Sequence, residues 1–146
     1  MIEVNNMMTE EAVTTEIIAE NIYDISNRDK LVLYAKTYVG TPYRYGGTGP
    51  SGFDCSGFVS TVFKNNGISL ARSSSSQYWS NGTKISQDKL QPGDLVFYGY
   101  GSSVSHVAIY IGDNKIVHSS SSRGVVIDNM MKSGLPPVIG YKSVMS

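Results

Sequence analysis

The chain has 146 residues, of which 40% are hydrophobic and 16% charged, and its twelve basic and twelve acidic side chains give a formal net charge of zero. This length and composition fit one globular domain with an adequate core. The single cysteine excludes an internal disulfide, and no apolar run approaches membrane-spanning length.

Charge is distributed unevenly along the chain. Residues 1–27 contain six acidic side chains and no basic ones, a charge of −6, whereas residues 28–146 contain six acidic and all twelve basic side chains, a charge of +6. A basic body favours an anionic partner. Its Lys and Arg residues are scattered and accompany no aromatic platform, so we do not expect nucleic acid as that partner.

The acidic segment contains a predicted amphipathic helix from Glu10 to Ile25, in which Val and Ile recur at helical intervals. Such a helix can be a linker, a helix docked on the body or part of an upstream domain. We expect docking, because an acidic helix with an apolar stripe complements a basic body. The chain is therefore divided into an acidic helix or linker over 1–27 and a main domain over 28–146.

Two further helices are predicted at the start of the main domain. The first is expected over Asp29 to Tyr38 and is followed by a loop, 43–52, that is too rich in Gly and Pro for regular structure. The second is expected to start at Cys55, with Asp54 as its N-cap and the sequence Asn-Asn-Gly at 65–67 as its stop.

The rest of the main domain changes from loop to strand. Residues 68–93 are predicted to be dominated by loops, with one helical turn around Gln77 to Trp79. Apolar runs and alternating patterns then predict five strands. They are expected over residues 94–98, 104–111, 115–119, 124–128 and 138–144.

Cys55 is a candidate nucleophile because of its place in the predicted helix. In the first turn, unpaired backbone N–H groups and the helix dipole favour a negative charge. A thiol at such a position is biased toward the reactive thiolate. The alternative is structural: Cys55 shares a helix face with Val59 and Val62, and a lone cysteine is often a small buried hydrophobe.

The two histidines of the sequence, His106 and His118, fall on adjacent predicted strands. Because side chains alternate along a strand, His106 is expected to share one face with Val104, Ala108 and Tyr110. Whether His118 lies on that same face depends on the turn between the strands.

A three-residue turn over 112–114 would bring the histidines together. Ile111 would then pair with Lys115, and Ala108 would face His118. The two imidazoles would lie diagonally on one face, within reach of each other. A two-residue loop would put them on opposite faces.

Three accounts of this histidine pair remain open on pattern alone. Both rings can be structural and satisfied by hydrogen bonds. Together with Cys55 they can bind zinc, although their spacing lacks the close ligand pairs of a structural zinc motif. The third account is a thiol–imidazole catalytic unit, in which one ring is the base and the second ring orients it.

A set of motifs in a fixed order resembles one protein family. The motifs are Pro42–Gly47, Asp54–Val59, Arg72–Ser74 with Gln77, Leu90–Phe97, Ser105–Gly112 and Val117–Ser119. Each motif alone is weak, but the ordered set, over roughly residues 30–144, resembles the NlpC/P60 family of bacterial cell-wall cysteine peptidases. Residues 1–27 lie outside the resemblance.

The resemblance implies a papain-like α+β fold, with the cysteine helix packed on an antiparallel sheet of about five strands. It implies that Cys55 is the nucleophile, His106 the general base and His118 the third polar member, which orients the base. Tyr43 matches a tyrosine whose hydroxyl lies near the nucleophile and helps to bind the oxyanion.

Substrate-binding residues follow from the same match. Asp54 and Ser56 match positions that line the substrate cleft and can bind a free amino terminus. Arg72 is a candidate to meet a carboxylate of the substrate. No metal and no other cofactor is expected.

The implied function is a peptidoglycan hydrolase. Its activity would be that of a cysteine endopeptidase cleaving the bond between γ-D-glutamate and a diamino acid, meso-diaminopimelate or L-lysine, in peptidoglycan stem peptides. We expect a secreted or cell-wall-associated monomer without a membrane span, its export signal absent from this sequence. The alternatives are a non-catalytic cell-wall-binding module and another thiol acyl-transfer activity, such as an amidase or transpeptidase.

Overall fold

The computed structural model describes residues 26–145, which contain three α-helices, one short 3₁₀-helix (Gln87–Lys89) and a six-stranded sheet. The α-helices are α1 (Asn27–Lys36), α2 (Cys55–Lys64) and α3 (Ser74–Ser80). The strands are β1 (Thr83–Ile85), β2 (Leu95–Tyr100), β3 (Ser103–Gly112), β4 (Lys115–Ser120), β5 (Gly124–Asn129) and β6 (Val138–Ser143). The acidic helix predicted between Glu10 and Ile25, and its docking, lie outside the described residues.

The strands form one antiparallel sheet in the order β1-β6-β2-β3-β4-β5. Helix α2 packs against β3 and β4 near the middle of the sheet. The predicted α+β, papain-like fold with the cysteine helix on an antiparallel sheet is therefore confirmed. No helix within residues 26–145 has the length and apolarity needed to cross a bilayer.

The five predicted strands are present, and the sixth, β1, lies in a region predicted to be loop. This strand has only three residues and pairs with β6 at the edge of the sheet. Its side chains are largely exposed, so it lacks the apolar alternation that would predict a strand. Helix α3 also exceeds the predicted single turn, because the Ser73 hydroxyl caps it by accepting from the Ser76 N–H at 3.1 Å.

Apolar side chains cover both faces of the sheet. The helices cover one face, where Phe58 and Val59 of α2 pack with Val107 and Ile109 of β3. On the other face a second cluster contains Val96, Tyr98, Ala108, Ile116, Met130 and Tyr141. Strand β2 therefore has five consecutive buried residues, which explains its continuous apolar sequence.

A buried ion pair ties α1 to the sheet. Arg28 Nη1 donates to Asp94 Oδ1 at 2.7 Å, and the side chains of Arg28 and Asp94 are 14% and 1% exposed. The guanidinium also donates to the Pro92 carbonyl, the Ser143 hydroxyl and the Met145 carbonyl. One side chain thus joins α1, the turn before β2 and the end of β6.

Strand β3 contains two bulges that the sequence pattern did not predict. Gly112, not Ile111, pairs with Lys115, so the loop has two residues, the length that was expected to separate the histidines. The register shifts between Tyr110 and Gly112, which makes Ile111 an extra residue on β3. The bulge restores the side-chain alternation that a two-residue loop alone would reverse.

The second bulge lies at Ser105. Tyr98 pairs with His106 and Gly99 with Val104, so Ser105 is the extra residue. As a consequence, Val104 packs with the helix-side core and does not share the face of His106, contrary to expectation.

Candidate active site

Cys55 is the first residue of α2, as predicted. The Asp54 carboxylate caps the helix, since Oδ1 accepts from the Gly57 N–H at 2.6 Å. Its other oxygen, Oδ2, accepts from the Gly46 N–H at 3.1 Å. One side chain therefore fixes both the start of α2 and the glycine-rich loop before it.

The glycine-rich loop lies close against α2 because Gly57 has no side chain. A Cβ at Gly57 would lie 2.0 Å from the Gly47 carbonyl oxygen. That carbonyl accepts from the Asp54 N–H at 3.1 Å. The close approach holds the loop on the first turn of α2, beside the thiol.

A hydrogen bond ties the chain just before Cys55 to the strand that contains His118. The Ser119 hydroxyl of β4 donates to the carbonyl of buried Phe53 at 2.8 Å. Phe53 lies two residues before Cys55, and Ser119 directly follows His118. Phe53 also forms a β-bridge with Tyr43, which ties the tyrosine to the segment just before Cys55.

The two histidines contact each other directly. His106 Nε2 lies 2.8 Å from His118 Nδ1, with the rings nearly perpendicular at 82°. His118 Nε2 in turn lies 2.8 Å from Asp128 Oδ2. Three side chains from β3, β4 and β5 therefore form one line of hydrogen bonds.

The direction of these hydrogen bonds follows from Asp128. Arg123 binds both carboxylate oxygens, at 3.1 and 2.5 Å, and holds the pKa of Asp128 down to about 2, with His118 adding to the shift. An ionised carboxylate only accepts, so His118 carries its proton on Nε2 and accepts on Nδ1. His106 then donates from Nε2, which leaves its Nδ1 free to accept a proton.

Asp128 is the site residue that sequence reasoning missed. In the β4–β5 register His118 pairs with Val126, so Asp128, two residues further on, lies diagonally on the same face. The alternation of side chains in the predicted strand 124–128 was the signal that could have identified it.

Burial favours the uncharged forms of the thiol and both imidazoles. It raises the pKa of Cys55, although backbone N–H groups of Val107 and of the first turn of α2 lower it. It also lowers the pKa of His106 to about 3, and His118 adds to this shift. The pKa of His118 is lowered by burial more than Asp128 raises it. Desolvation thus outweighs the thiolate bias that the helix terminus predicted.

Four of the sequence-predicted residues, Cys55, His106, His118 and Tyr43, line one open cavity of about 420 Å³. Arg123 and Lys132 contribute positive charge to its wall. Burial raises the pKa of Tyr43, so its phenol remains a hydrogen-bond donor at neutral pH. The cavity therefore offers a thiol, a base and a donor to one ligand.

The other three predicted residues, Asp54, Ser56 and Arg72, form a separate cluster. Arg72 donates to both oxygens of Asp54, at 3.0 and 2.7 Å, and to the Ser56 hydroxyl at 2.9 Å. None of the three lines the cavity that contains the histidines. They lie on the neighbouring side of the α2 N-terminus.

The zinc alternative finds no support in the described residues. Both ring nitrogens of His118 are engaged with protein groups. Within residues 26–145, no three His, Cys, Asp or Glu side chains are grouped so that they could hold a metal ion.

The fold and this site define a papain-like α+β domain whose lone thiol and histidine line share a cleft. The sequence model of the NlpC/P60 family matches residues 40–139. The chain belongs to the NlpC/P60 family.

Relatives and solved structures agree with this assignment. The probable endopeptidase p60 of Listeria grayi is 44% identical over 128 residues, which cover 86% of this chain and 25% of that protein. The γ-D-glutamyl-L-lysine dipeptidyl-peptidase of Bacillus cereus is 44% identical over 94 residues, 62% of this chain and 28% of that protein. The crystal structure of an NlpC/P60 family protein from Bacillus cereus is similar with a TM-score of 0.75 at 36% identity, covering 82% of this chain and 40% of that one. The chain thus spans about a quarter of the length of these two curated relatives.

Proposed function

We propose that this protein is a peptidoglycan hydrolase that acts as a cysteine endopeptidase through its domain at 28–146. The observation that carries the proposal is the shared cleft: Cys55, His106 and His118 line one open cavity, and Asp128 extends the hydrogen-bond line behind His118. Membership of the NlpC/P60 family and the endopeptidase name of the Listeria relative support it.

In the proposed mechanism, His106 is the general base. The Cys55 thiol and the His106 imidazole both start uncharged. Nδ1 of His106 therefore takes the thiol proton as Sγ of Cys55 attacks the peptide carbonyl. His118 accepts from Nε2 of the resulting imidazolium, and Asp128 holds His118 in the tautomer that can do so. Tyr43 and the backbone N–H of Cys55 donate to the oxyanion.

The intermediate then collapses to products. The carbon–nitrogen bond breaks, and the proton on His106 passes to the leaving amine, which leaves a thioester on Cys55. Water gives a proton to His106 and its oxygen to the thioester carbon. Release of the carboxylic acid returns the proton to the sulfur, so the enzyme is unchanged after each cycle.

We propose the bond between γ-D-glutamate and a diamino acid as the one cleaved. The name of the Bacillus cereus relative, a γ-D-glutamyl-L-lysine dipeptidyl-peptidase, supports this choice. Stem peptides carry carboxylates, and Arg123 and Lys132 place positive charge on the wall of the cavity. The diamino acid can be L-lysine or meso-diaminopimelate, and the site of action is outside the cell or at its wall.

Mass spectrometry of digested peptidoglycan tests the proposal. Purified peptidoglycan of both diamino acid types is incubated with the protein or with Cys55→Ala, and the fragments are scored for a new amino terminus on the diamino acid. We expect the new amino terminus in the digest with the wild-type protein and not in the digest with Cys55→Ala. Cleavage at another bond would indicate a different thiol acyl-transfer activity, and binding to the wall without any cleavage would indicate a non-catalytic module.

A further inference from the structure

Arg123 reaches the line of hydrogen bonds from the turn between β4 and β5. Its guanidinium donates to both oxygens of the Asp128 carboxylate, five residues further along the chain, at 3.1 and 2.5 Å. The Asp128 side chain is 8% exposed, whereas that of Arg123 is 43% exposed and lines the cavity. One partner of this ion pair is thus buried behind His118, and the other is open to the cleft.

The backbone around Arg123 is anchored on the loop that follows α1. Val125 donates its N–H to the Thr41 carbonyl at 2.9 Å and accepts from the Gly40 N–H at 2.9 Å. Gly124 has a φ of +74°, and a Cβ there would lie 2.4 Å from the Thr41 carbonyl oxygen. These contacts fix the turn from which the Arg123 side chain reaches Asp128.

The charge of Asp128 determines which nitrogen of His118 carries a proton. Ionised Asp128 accepts from Nε2 of His118, so Nδ1 is left to accept from Nε2 of His106. If the His118–Asp128 pair bound one more proton, Nδ1 of His118 would become a donor. It would do so as part of an imidazolium, or because a protonated Asp128 donates to Nε2.

A donor at Nδ1 of His118 would remove the base of the proposed mechanism. Nε2 of His106 lies 2.8 Å from that nitrogen and would have to accept from it. The proton of the neutral His106 ring would then be on Nδ1, the atom that must take the thiol proton. His106 could no longer deprotonate Cys55.

Arg123 opposes this extra protonation at both members of the pair. Its hydrogen bonds are the main reason that the pKa of Asp128 is held down to about 2, against the effect of burial. Burial lowers the pKa of His118, Asp128 raises it, and the charge of Arg123 lowers it further. Without the guanidinium both pKa values would rise, so the pair would bind its extra proton at a higher pH.

The charged or titratable side chains around Asp128 come from each neighbouring element. They are His118 of β4, His106 next to it on β3, Tyr98 of β2, Arg123 of the turn, and Lys132 on the same cavity wall as Arg123. Burial raises the pKa of Tyr98, and its hydroxyl donates to the Met130 carbonyl, so the phenol stays neutral. Of these groups, Arg123 is the permanently charged one that binds the carboxylate oxygens.

We propose that Arg123 is a positioning residue, which acts through Asp128 and His118 to keep Nδ1 of His106 free to take the thiol proton. The inference rests on the proposed function and adds to its machinery a residue on the cavity wall. Its consequence is that Arg123 sets the lowest pH at which the site can work.

The pH dependence of cleavage tests this role. The kcat/KM for a γ-D-glutamyl-diamino acid peptide is measured from about pH 4 to about pH 9 in the wild type, Arg123→Ala and Arg123→Lys. In Arg123→Ala we expect the acid limb to move to higher pH by about one pH unit or more, the scale of a nearby opposite charge. Arg123→Lys keeps the charge but not the two parallel hydrogen bonds, so its limb should lie between the other two.

Nitrogen-15 NMR of the imidazoles reads the proton positions without a substrate. His106 and His118 are the only histidines of the sequence, so the spectrum contains two rings. We expect both to carry the proton on Nε2 in the wild type at neutral pH, and the His118 signals to change at a higher pH in Arg123→Ala than in the wild type.

The control is Lys115→Ala. It removes a positive charge from the exposed start of β4, on the opposite face of the strand from His118. We expect its acid limb and its His118 titration to coincide with those of the wild type.

The outcomes separate the two proposals. Identical acid limbs and identical His118 titrations in the wild type and both Arg123 variants, with folding checked by thermal unfolding, would overturn the role of Arg123 and leave the endopeptidase proposal standing. An equal fall in kcat/KM at every pH would do the same, because it would show a structural or substrate-binding effect. No cleavage by the wild type would overturn the proposed function, and the NMR titration would then decide alone whether Arg123 controls the proton on His118.

Discussion

The position of a proton decides how Cys55 is activated. Burial raises the pKa of the thiol and lowers that of His106 to about 3, so the resting pair is neutral. In the proposed mechanism the thiolate therefore forms only as the substrate is attacked. This differs from a preformed thiolate–imidazolium pair, in which the thiol would already be ionised in acid.

The pH dependence of thiol alkylation distinguishes these two states. A raised thiol pKa means that the thiolate fraction keeps increasing with pH through the neutral range. We expect the rate of iodoacetamide reaction with Cys55 to rise up to a midpoint above the ordinary cysteine value of about 8.5. A rate that stays level from about pH 5 to pH 8 would show a preformed ion pair instead.

Asp128 is predicted to act by positioning His118. In Asp128→Asn an amide replaces the carboxylate, so the tautomer of His118 is no longer enforced and Arg123 loses its partner. We expect kcat to fall by roughly tenfold or more with little change in KM, and Asp128→Glu to recover part of the loss. Asp113→Asn, the same change in the exposed β3–β4 turn, is the control. Equal kcat values for Asp128→Asn and Asp113→Asn would show that Asp128 has no role in the mechanism.

Single residues of the site were the most accessible to sequence reasoning. The motifs placed Cys55, His106, His118 and Tyr43 together, and the structure has all four on one cavity. Asp128 was missed because its role depends on the strand-to-strand register. Backbone N–H groups of the first turn of α2 lower the thiol pKa as predicted, but burial, which depends on tertiary packing around the helix end, raises it more.

At the scale of elements, the bulge at Ile111 determines whether the histidines meet. The loop between β3 and β4 is a two-residue turn over Asp113 and Asn114, both at positive φ. Without the extra residue on β3 it would direct the histidines to opposite faces. A bulge changes backbone pairing without a distinctive composition, so the sequence pattern could not decide whether the histidines share a face.

The contact between α2 and the glycine-rich loop makes Gly57 a sensitive position. A methyl group in Gly57→Ala would collide with the Gly47 carbonyl, 2.0 Å from the Cβ position. We expect the free energy of unfolding to fall by about 1–3 kcal/mol, the usual range for overpacking, and cleavage to weaken as Cys55 shifts. Urea denaturation measures the first effect. Lys64→Ala, at the exposed end of the same helix, should stay within about 0.5 kcal/mol of the wild type, and a similar small change in Gly57→Ala would contradict this account.

At the scale of the whole molecule, a sheet with two covered faces holds the site. Cys55 comes from the helix layer, whereas His106, His118 and Asp128 come from three adjacent strands. The fold class was predictable from the motifs, and five of the six strands from their apolar patterns. The strand order could not be predicted, because β6 pairs with β1 and β2, which are distant in sequence, and no local pattern indicates that pairing.

The ion pair of Arg28 and Asp94 is predicted to stabilise the domain as a whole. In Arg28→Ala the Asp94 carboxylate, only 1% exposed, would lose its charge partner. We expect a loss of about 3–5 kcal/mol in the free energy of unfolding. The control Arg44→Ala removes an exposed arginine whose side chain donates only a 3.4 Å hydrogen bond to Ser51. A loss in Arg28→Ala no larger than in Arg44→Ala would contradict the proposed role.

The most direct test of the central claim uses the single cysteine of the sequence. The protein is methylthiolated to increasing extents, the fraction labelled at Cys55 is read from the intact mass, and cleavage of a γ-D-glutamyl-diamino acid peptide is measured at each point. We predict that activity falls in proportion to labelling, reaches zero at one label per molecule and returns when a reductant removes the label. Undiminished cleavage by fully labelled protein would show that Cys55 is not the nucleophile.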